Sequence, residues 1–255
     1  MVKSGLHTDE LVAQDGVPRV SQYRLAAHLG TAFGVYTIMV LMGLSVLRRH
    51  RFARMDPVVR SQLVESLSTP VVRRLRGKVV GLSHIIFLTA LSGISLFRLL
   101  NANEGALVAG LDAGLIYNEF PKMGSGYIPP TKELFNPYYT RTSDPSLLSL
   151  ISHNIGENPV LAQLDHRILA ITTFTLISLS WLRVLRRPLP STIKRGMHSV
   201  MALACLQVAL GIGTLVYMVP THLAATHQAG SLALLTAVLV LLGRFRVPAV
   251  VKLVK

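Results

Sequence analysis

Leu223 to Gly243 reads LAATHQAGSLALLTAVLVLLG, an uncharged run broken by one imidazole, His227, and followed at once by the basic residues Arg244 and Arg246. At about 1.5 Å of rise per residue, such a helix covers a bilayer core of roughly 30 Å. An imidazole inside such a span is costly unless it is neutral and hydrogen-bonded, or bound to something. His227 is therefore a candidate functional residue.

The rest of the chain agrees with a membrane class. Of 255 residues 51% are hydrophobic and 15% charged, and the mean hydropathy is +0.48. A soluble domain carries closer to a quarter of charged residues. The net charge of +14 does not point to nucleic acid, because the charges sit between apolar runs rather than on one face. The single cysteine, Cys205, excludes an intrachain disulfide.

Four more spans precede the first one quoted. Leu25 to Leu47 carries His28 near its start, and Val79 to Phe97 forms a second run. A third must begin near Leu161 and take Asp165, His166 and Arg167 into its outer turns, since only Ile168 to Leu182 is uncharged. Met197 to Val219 is the fourth, closed by Pro220. The expected fold is thus an all-α integral membrane protein of five transmembrane helices.

The connections orient it. Residues 48–78 hold nine Arg or Lys against Asp56 and Glu65, and 183–195 and 244–255 are also strongly basic. The 98–160 connection is mildly acidic and rich in Gly, Pro and Asn. The positive-inside bias then starts the chain outside and ends it inside. Sixty residues are long for a structureless connector, so short helices or an ordered cap are expected there, with 136–158 as a candidate mobile insertion.

This orientation puts His28, His166 and His227 at the outer ends of spans running in one direction. Two imidazoles at one depth on facing helices suit axial ligation of a haem, and no thiolate or carboxylate cluster accompanies them to favour zinc. The competing reading makes them polar bridges between helices. Arg167 meets a propionate, or pairs with Asp165 and snorkels; Gln228 is a further candidate beside the haem. Gly211 and Gly213 admit a neighbouring helix or the porphyrin plane, and packing is the favoured role. His7, His50 and His153 read as surface residues, His84 as a core or interhelical residue, His198 as facing the inner surface and His222 as part of a turn. There is also an internal echo, LAAHLGTA at 25–32 against LAATHQAGS at 223–231.

Five stretches carry a wider likeness: MVKSGL at 1–6, RVSQYRLAAHLG at 19–30, GALVAGLDAGLIYNEFPKM at 105–123, QLDHRILAIT at 163–172 and PTHLAATHQAGSLALLT at 220–236. Together they resemble the mitochondrial branch of the haem A synthase family. The resemblance implies two pseudo-symmetric four-helix halves in the mitochondrial inner membrane. It also implies oxidation of a methyl group of haem O to a formyl, giving haem A for cytochrome c oxidase assembly. In that family the carboxy-terminal half holds haem b between two histidines matching His166 and His227. The amino-terminal half holds the substrate haem O with a histidine matching His28.

The family's Glu-x-x-x-His motif, which supplies the other ligand and the proposed catalytic glutamate, has no counterpart in this sequence. The resemblance therefore implies a fragment lacking the first three helices. Residues 1–47 would end the substrate half, 48–78 form a basic matrix-side loop, 79–243 the haem b half with its outer loop at 98–160, and 244–255 a matrix-side tail. Implied partners are membrane lipid, the enzyme that makes haem O, and ferredoxin, with a homo-oligomer left open and no nucleic acid. Two alternatives stay open: a catalytically inactive bis-histidine haem-binding or electron-transfer module, and a haem-free membrane assembly protein.

Overall fold

The computed structural model describes residues 22–92, 113–140 and 146–246. The end of the expected second span at 93–97, the stretch 105–112 and the tail beyond Arg246 lie outside them.

Among the described residues the chain forms eight α-helices and no β-strand longer than an isolated bridge. They are α1 (Gln22–Ala53), α2 (Pro57–Ser68), α3 (Pro70–Ser92), the single turn α4 (Thr131–Leu134), α5 (Leu147–Glu157), α6 (Pro159–Leu185), α7 (Ser191–Val216) and α8 (Thr221–Arg244). Four segments are long and apolar enough to cross a bilayer: Gly30–Ala53 within α1, and α6, α7 and α8. The expected second span begins inside α3 and runs past its described end.

The apolar residues of these spans lie mostly outside rather than inside. Only 6%, 17%, 11% and 33% of the four apolar windows, in chain order, is buried within the protein. Exposed side chains include Val35, Ile38, Met39 and Met42 on α1, Ile168 and Ile171 on α6, and Leu206 on α7. A water-soluble bundle would bury these stripes, so the chain is an all-α membrane protein whose helices face lipid. Span α8 is the most enclosed, with Leu234, Leu235, Val238, Leu239, Leu241 and Leu242 buried.

Two compact units can be distinguished. One comprises Met1–Ala32, Ala90–Leu169 and Ile212–Ala224; the other Phe33–Thr89, Ala170–Gly211 and Ala225–Lys255. In the second, α7 buries Ile193, Gly196, Met197, Val200 and Ala204, a stripe at helical spacing. Tyr36 Oη lies 2.7 Å from Thr236 Oγ1, tying α1 to α8.

The basic segment 48–78, read from sequence as a loop, is helical for most of its length. Helix α1 continues to Ala53, so its 32 residues outrun the bilayer core. After a short break Asp56 starts α2, its Oδ1 accepting from the Val58 and Val59 amides at 2.8 and 3.3 Å. Arg60 Nη2 donates back to the Ala53 and Met55 carbonyls at the end of α1, both at 3.0 Å. His84 departs from its expected interhelical place: it is exposed on α3, away from the buried Val72, Val79, Leu82 and Ile86. A helix turns about 200° between positions 84 and 86, which puts His84 on the opposite side.

In the first unit the long connection is an ordered assembly over its described residues. Gly124, at φ +71°, sits where a Cβ would stand 3.1 Å from the Tyr117 ring. Asn154 and Asn158, both fully buried, tie residues 133–136 to α5 and α6, so the expectation of a mobile 136–158 does not fit the parts described. Tyr117 Oη donates to Glu133 Oε2. That bond, followed by burial, pushes the phenol from 10.0 up to about 12. A phenol with a raised folded-state pKa contributes stability that is complete below pH 10 and lost as pH rises through 12. Titration of tyrosinate absorbance should therefore show one phenol ionising near pH 12, with Glu133→Gln returning it towards 10 and Tyr117→Phe removing it. An unchanged titration in Glu133→Gln would refute the assignment.

Candidate functional site

The three candidate ligands occupy similar registers on their own helices. His28, His166 and His227 each follow the first residue of α1, α6 and α8 by six or seven positions, about 10 Å along the axis. His28 and His166 belong to the first compact unit and His227 to the second.

His227 is half-buried on α8. Counting seven, eleven and fourteen residues onward reaches Leu234, Val238 and Leu241, all buried, so the imidazole lies on the inward stripe of its helix. Its ring rests against the α7 backbone at Gly211, where a Cβ would stand 2.9 Å from Cε1 and 3.5 Å from either ring nitrogen. Glycine at 211 therefore makes room for the imidazole. One turn earlier on α7, Gln207 Nε2 donates to the His227 carbonyl at 2.7 Å. The Gln207 amide fits because residue 230 is also glycine: a Cβ there would meet Gln207 Oε1 at 2.2 Å. Two glycines and one glutamine thus fix the backbone and ring of His227. Of these, sequence pointed to Gly211. Gln207 was missed, because a lone glutamine in an apolar run gives no sign of which helix it reaches. At Gly213 nothing among the described residues stands within 4 Å of a Cβ position.

His166 is half-buried on α6, on the stripe that includes the buried Ala162, Thr173, Ile177 and Val184. The next residue, Arg167, is committed to the connection. Its Nη1 donates to Lys122 O at 2.9 Å and Pro121 O at 3.3 Å, and its Nη2 to Glu119 O at 2.8 Å and Tyr117 O at 3.4 Å. The guanidinium also lies 5.9 Å from the centroid of the Phe120 ring. Its buried Nε makes no hydrogen bond among the described residues. Gln163, one turn before, donates to Tyr117 O at 3.0 Å. The segment 117–122 is therefore clamped to the turn of α6 that presents His166.

His28 differs from the other two. It is exposed, and its stripe on α1 continues through Val35, Met39, Met42 and Val46, all more than half exposed, while Phe33 is buried on another face. Gln228 is exposed on α8. His222 lies in the first turn of α8 rather than in a connecting turn. His198 is exposed and accepts a 3.1 Å hydrogen bond from Trp181 Nε1, and His153 lies 2.8 Å from Ser149 O on α5.

The turn joining α7 to α8 holds Met218 and Val219 in the left-handed region, at φ 59° and 56°. For a β-branched residue this is an outlier, costing on the order of 1–3 kcal/mol. Packing over-determines it: Val219 Cγ2 fills the space where a Cβ at Gly114 would stand, 2.7 Å away. Asn118 Nδ2 bridges Gly114 O and Leu215 O at 2.7 and 2.9 Å.

The donor chemistry fits a haem better than a bare metal ion. Among the described residues no three His, Cys, Asp or Glu side chains gather into a metal cage. Instead, single imidazoles project from the inward faces of apolar helices, one of them with its seat cleared by a glycine.

The profile of the COX15-CtaA family, described as cytochrome oxidase assembly protein, matches residues 1–239. Heme A synthase COX15 of Homo sapiens is 44% identical over 246 residues, covering 96% of this chain and 50% of the relative. Heme A synthase COX15 of Saccharomyces cerevisiae is 39% identical over 250 residues, with coverages of 97% and 48%. A heme A synthase-mitochondrial ferredoxin fusion protein of Schizosaccharomyces pombe is 44% identical over 248 residues, with coverages of 96% and 38%. The chain thus spans half or less of the length of these relatives. No solved structure matches it.

Proposed function

Because this chain belongs to the COX15-CtaA family of cytochrome oxidase assembly proteins, we propose that it provides the haem b-ligating portion of a haem A synthase, with His166 and His227 as axial ligands. The observation that carries the reading is that both imidazoles lie on inward stripes, at matching registers of α6 and α8.

A bound haem supplies the electron and oxygen chemistry by which the methyl group of haem O becomes a formyl. The protein's share is placement. Gly211 clears the seat of the His227 imidazole and Gln207 anchors its backbone. Arg167 and Gln163 hold segment 117–122 against the turn bearing His166, with the Arg167 Nε left to meet a propionate. His28, on the outward stripe of α1, serves as the ligand for the substrate haem. Its site needs a further helix surface against that stripe, which is where the family's catalytic glutamate would enter.

The basic ends at 48–78 and 183–195 support a matrix location for those segments in the mitochondrial inner membrane, with the histidines near the intermembrane-space side. The fission yeast relative, a fusion to ferredoxin, supports a ferredoxin as electron donor.

A chimera tests the reading. Residues 1–246 of this chain replace the matching stretch of the Saccharomyces cerevisiae relative, and haems are extracted from mitochondria and separated by chromatography. Haem A should be present, and His28→Ala in the chimera should leave haem O in its place. A stably expressed chimera accumulating only haem O would contradict the proposal.

A further inference from the structure

At the end of the second unit away from His227, two guanidinium groups are half-buried among apolar helix ends, with no carboxylate beside them among the described residues. Arg48 leaves α1, passes over α8 with its Cδ 3.6 Å from where a Cβ at Gly243 would stand, and donates from Nη2 to Arg246 O. Arg244, the neighbour of Gly243, turns the other way and donates from Nη1 to Thr192 O at 2.6 Å. Its guanidinium occupies the place of a side chain at Gly196, where a Cβ would come within 2.6 Å of Nη1. Arg246 is exposed beside Arg48, close enough for the two cations to repel.

The acidic residues in the stretches that make up this unit are Asp56 and Glu65. Asp56 is spent on the start of α2, and Glu65 is exposed on α2. A guanidinium has five N–H donors. Arg48 and Arg244 each place a donor on a backbone carbonyl, which carries no compensating charge. Half-buried cations at the end of lipid-facing helices are stable when an anion pairs with them, and clefts of this kind between basic helix ends suit phospholipid headgroups.

We propose that Arg48, Arg244 and Arg246 form a binding site for the phosphodiester headgroup of an anionic phospholipid at the junction of α1, α7 and α8. Gly196 and Gly243 let the two arginine stems lie against the helices, and the apolar sides of α1 and α7 receive the acyl chains. The site lies at the end of α8 opposite His227 and does not depend on bound haem.

The test uses the full chain reconstituted in vesicles of phosphatidylcholine alone, or of phosphatidylcholine and diphosphatidylglycerol in equal parts. It is then released into detergent, and retained lipid is read by native mass spectrometry. The unmodified chain should keep diphosphatidylglycerol in preference to phosphatidylcholine. Arg48→Gln and Arg244→Gln should each weaken retention about fivefold, consistent with about 1 kcal/mol per basic side chain at an anionic surface. Arg49→Gln, which alters an exposed neighbour on α1, should leave it unchanged. Millimolar inorganic phosphate should not displace the lipid; displacement would show that a free phosphate is the ligand and overturn the lipid assignment. Equal retention of the two lipids by the unmodified chain, a measurement that needs no variant to fold, would also overturn it.

Discussion

His227→Ala and His166→Ala should each strip haem from the purified chain, lowering bound haem per polypeptide by at least about tenfold. Disturbing groups that merely orient a metal ligand costs about 10- to 100-fold in affinity, and losing the ligand costs no less. The surroundings of His227 make its variant informative. Alanine leaves the Gly211 seat empty, while the Gln207 bond to the residue 227 carbonyl survives, because it involves the backbone alone. The helix should therefore stay in place and added imidazole should restore a share of the haem. The exposed His84 and His198 are the controls, and their alanine variants should stay within about twofold of the unmodified chain, as expected of surface substitutions. Haem retained in both His166→Ala and His227→Ala would remove the ligand assignment.

Asn158→Ala should cost about 3–5 kcal/mol of stability. The side chain is fully buried and does two things at once. Its Oδ1 caps α6, accepting from the Val160 and Leu161 amides at 2.9 and 3.3 Å. Its Nδ2 donates to Glu133 O at 2.6 Å, Leu134 O at 3.1 Å and Asn154 Oδ1 at 2.9 Å. Alanine removes a cap worth about 1 kcal/mol and leaves buried acceptors without that donor, at about 1–3 kcal/mol each. Asn158→Asp separates the two roles: the cap is kept and the donor is lost, so most of the loss should persist. Limited proteolysis should report it as faster cleavage around 131–140. An Asn158→Asp variant as stable as the unmodified chain would show that the cap alone matters.

Four of the five expected spans were legible because the signal that defines them is composition over a long window. Helix α6 is the instructive case: Asp165, His166 and Arg167 interrupt its apolar pattern, yet length forced the span to start before them, and it begins at Pro159. The basic connection after α1 reads as a loop and is largely helical, since charge marks the membrane boundary but does not stop a helix; Arg48 to Ala53 simply continue α1. Residues that act through distant partners left little trace. Asn154 and Asn158 look like loop composition, Gln207 looks incidental, and the carbonyls held by Arg167 lie some 45–50 residues away in sequence. Phase was also unread. His28 and His227 share a similar local sequence, but counting along α1 puts His28 with the exposed Val35 and Met39, whereas His227 aligns with the buried Leu234 and Val238. The likeness of the two stretches therefore hides an imidazole turned outward and an imidazole turned in.

That difference is the basis on which His28 is proposed as the substrate-haem ligand and His166 with His227 as the electron-carrying pair. The most direct measurement is electron paramagnetic resonance of the oxidised, haem-loaded chain, recorded for the unmodified protein and for each histidine-to-alanine variant. The expected signal is that of a low-spin iron with two nitrogen ligands, unaltered by His28→Ala and lost in either His166→Ala or His227→Ala, with the small share of haem still bound there becoming high spin. A low-spin signal that survives loss of His166 and of His227 in turn, or that vanishes only with His28, would contradict it.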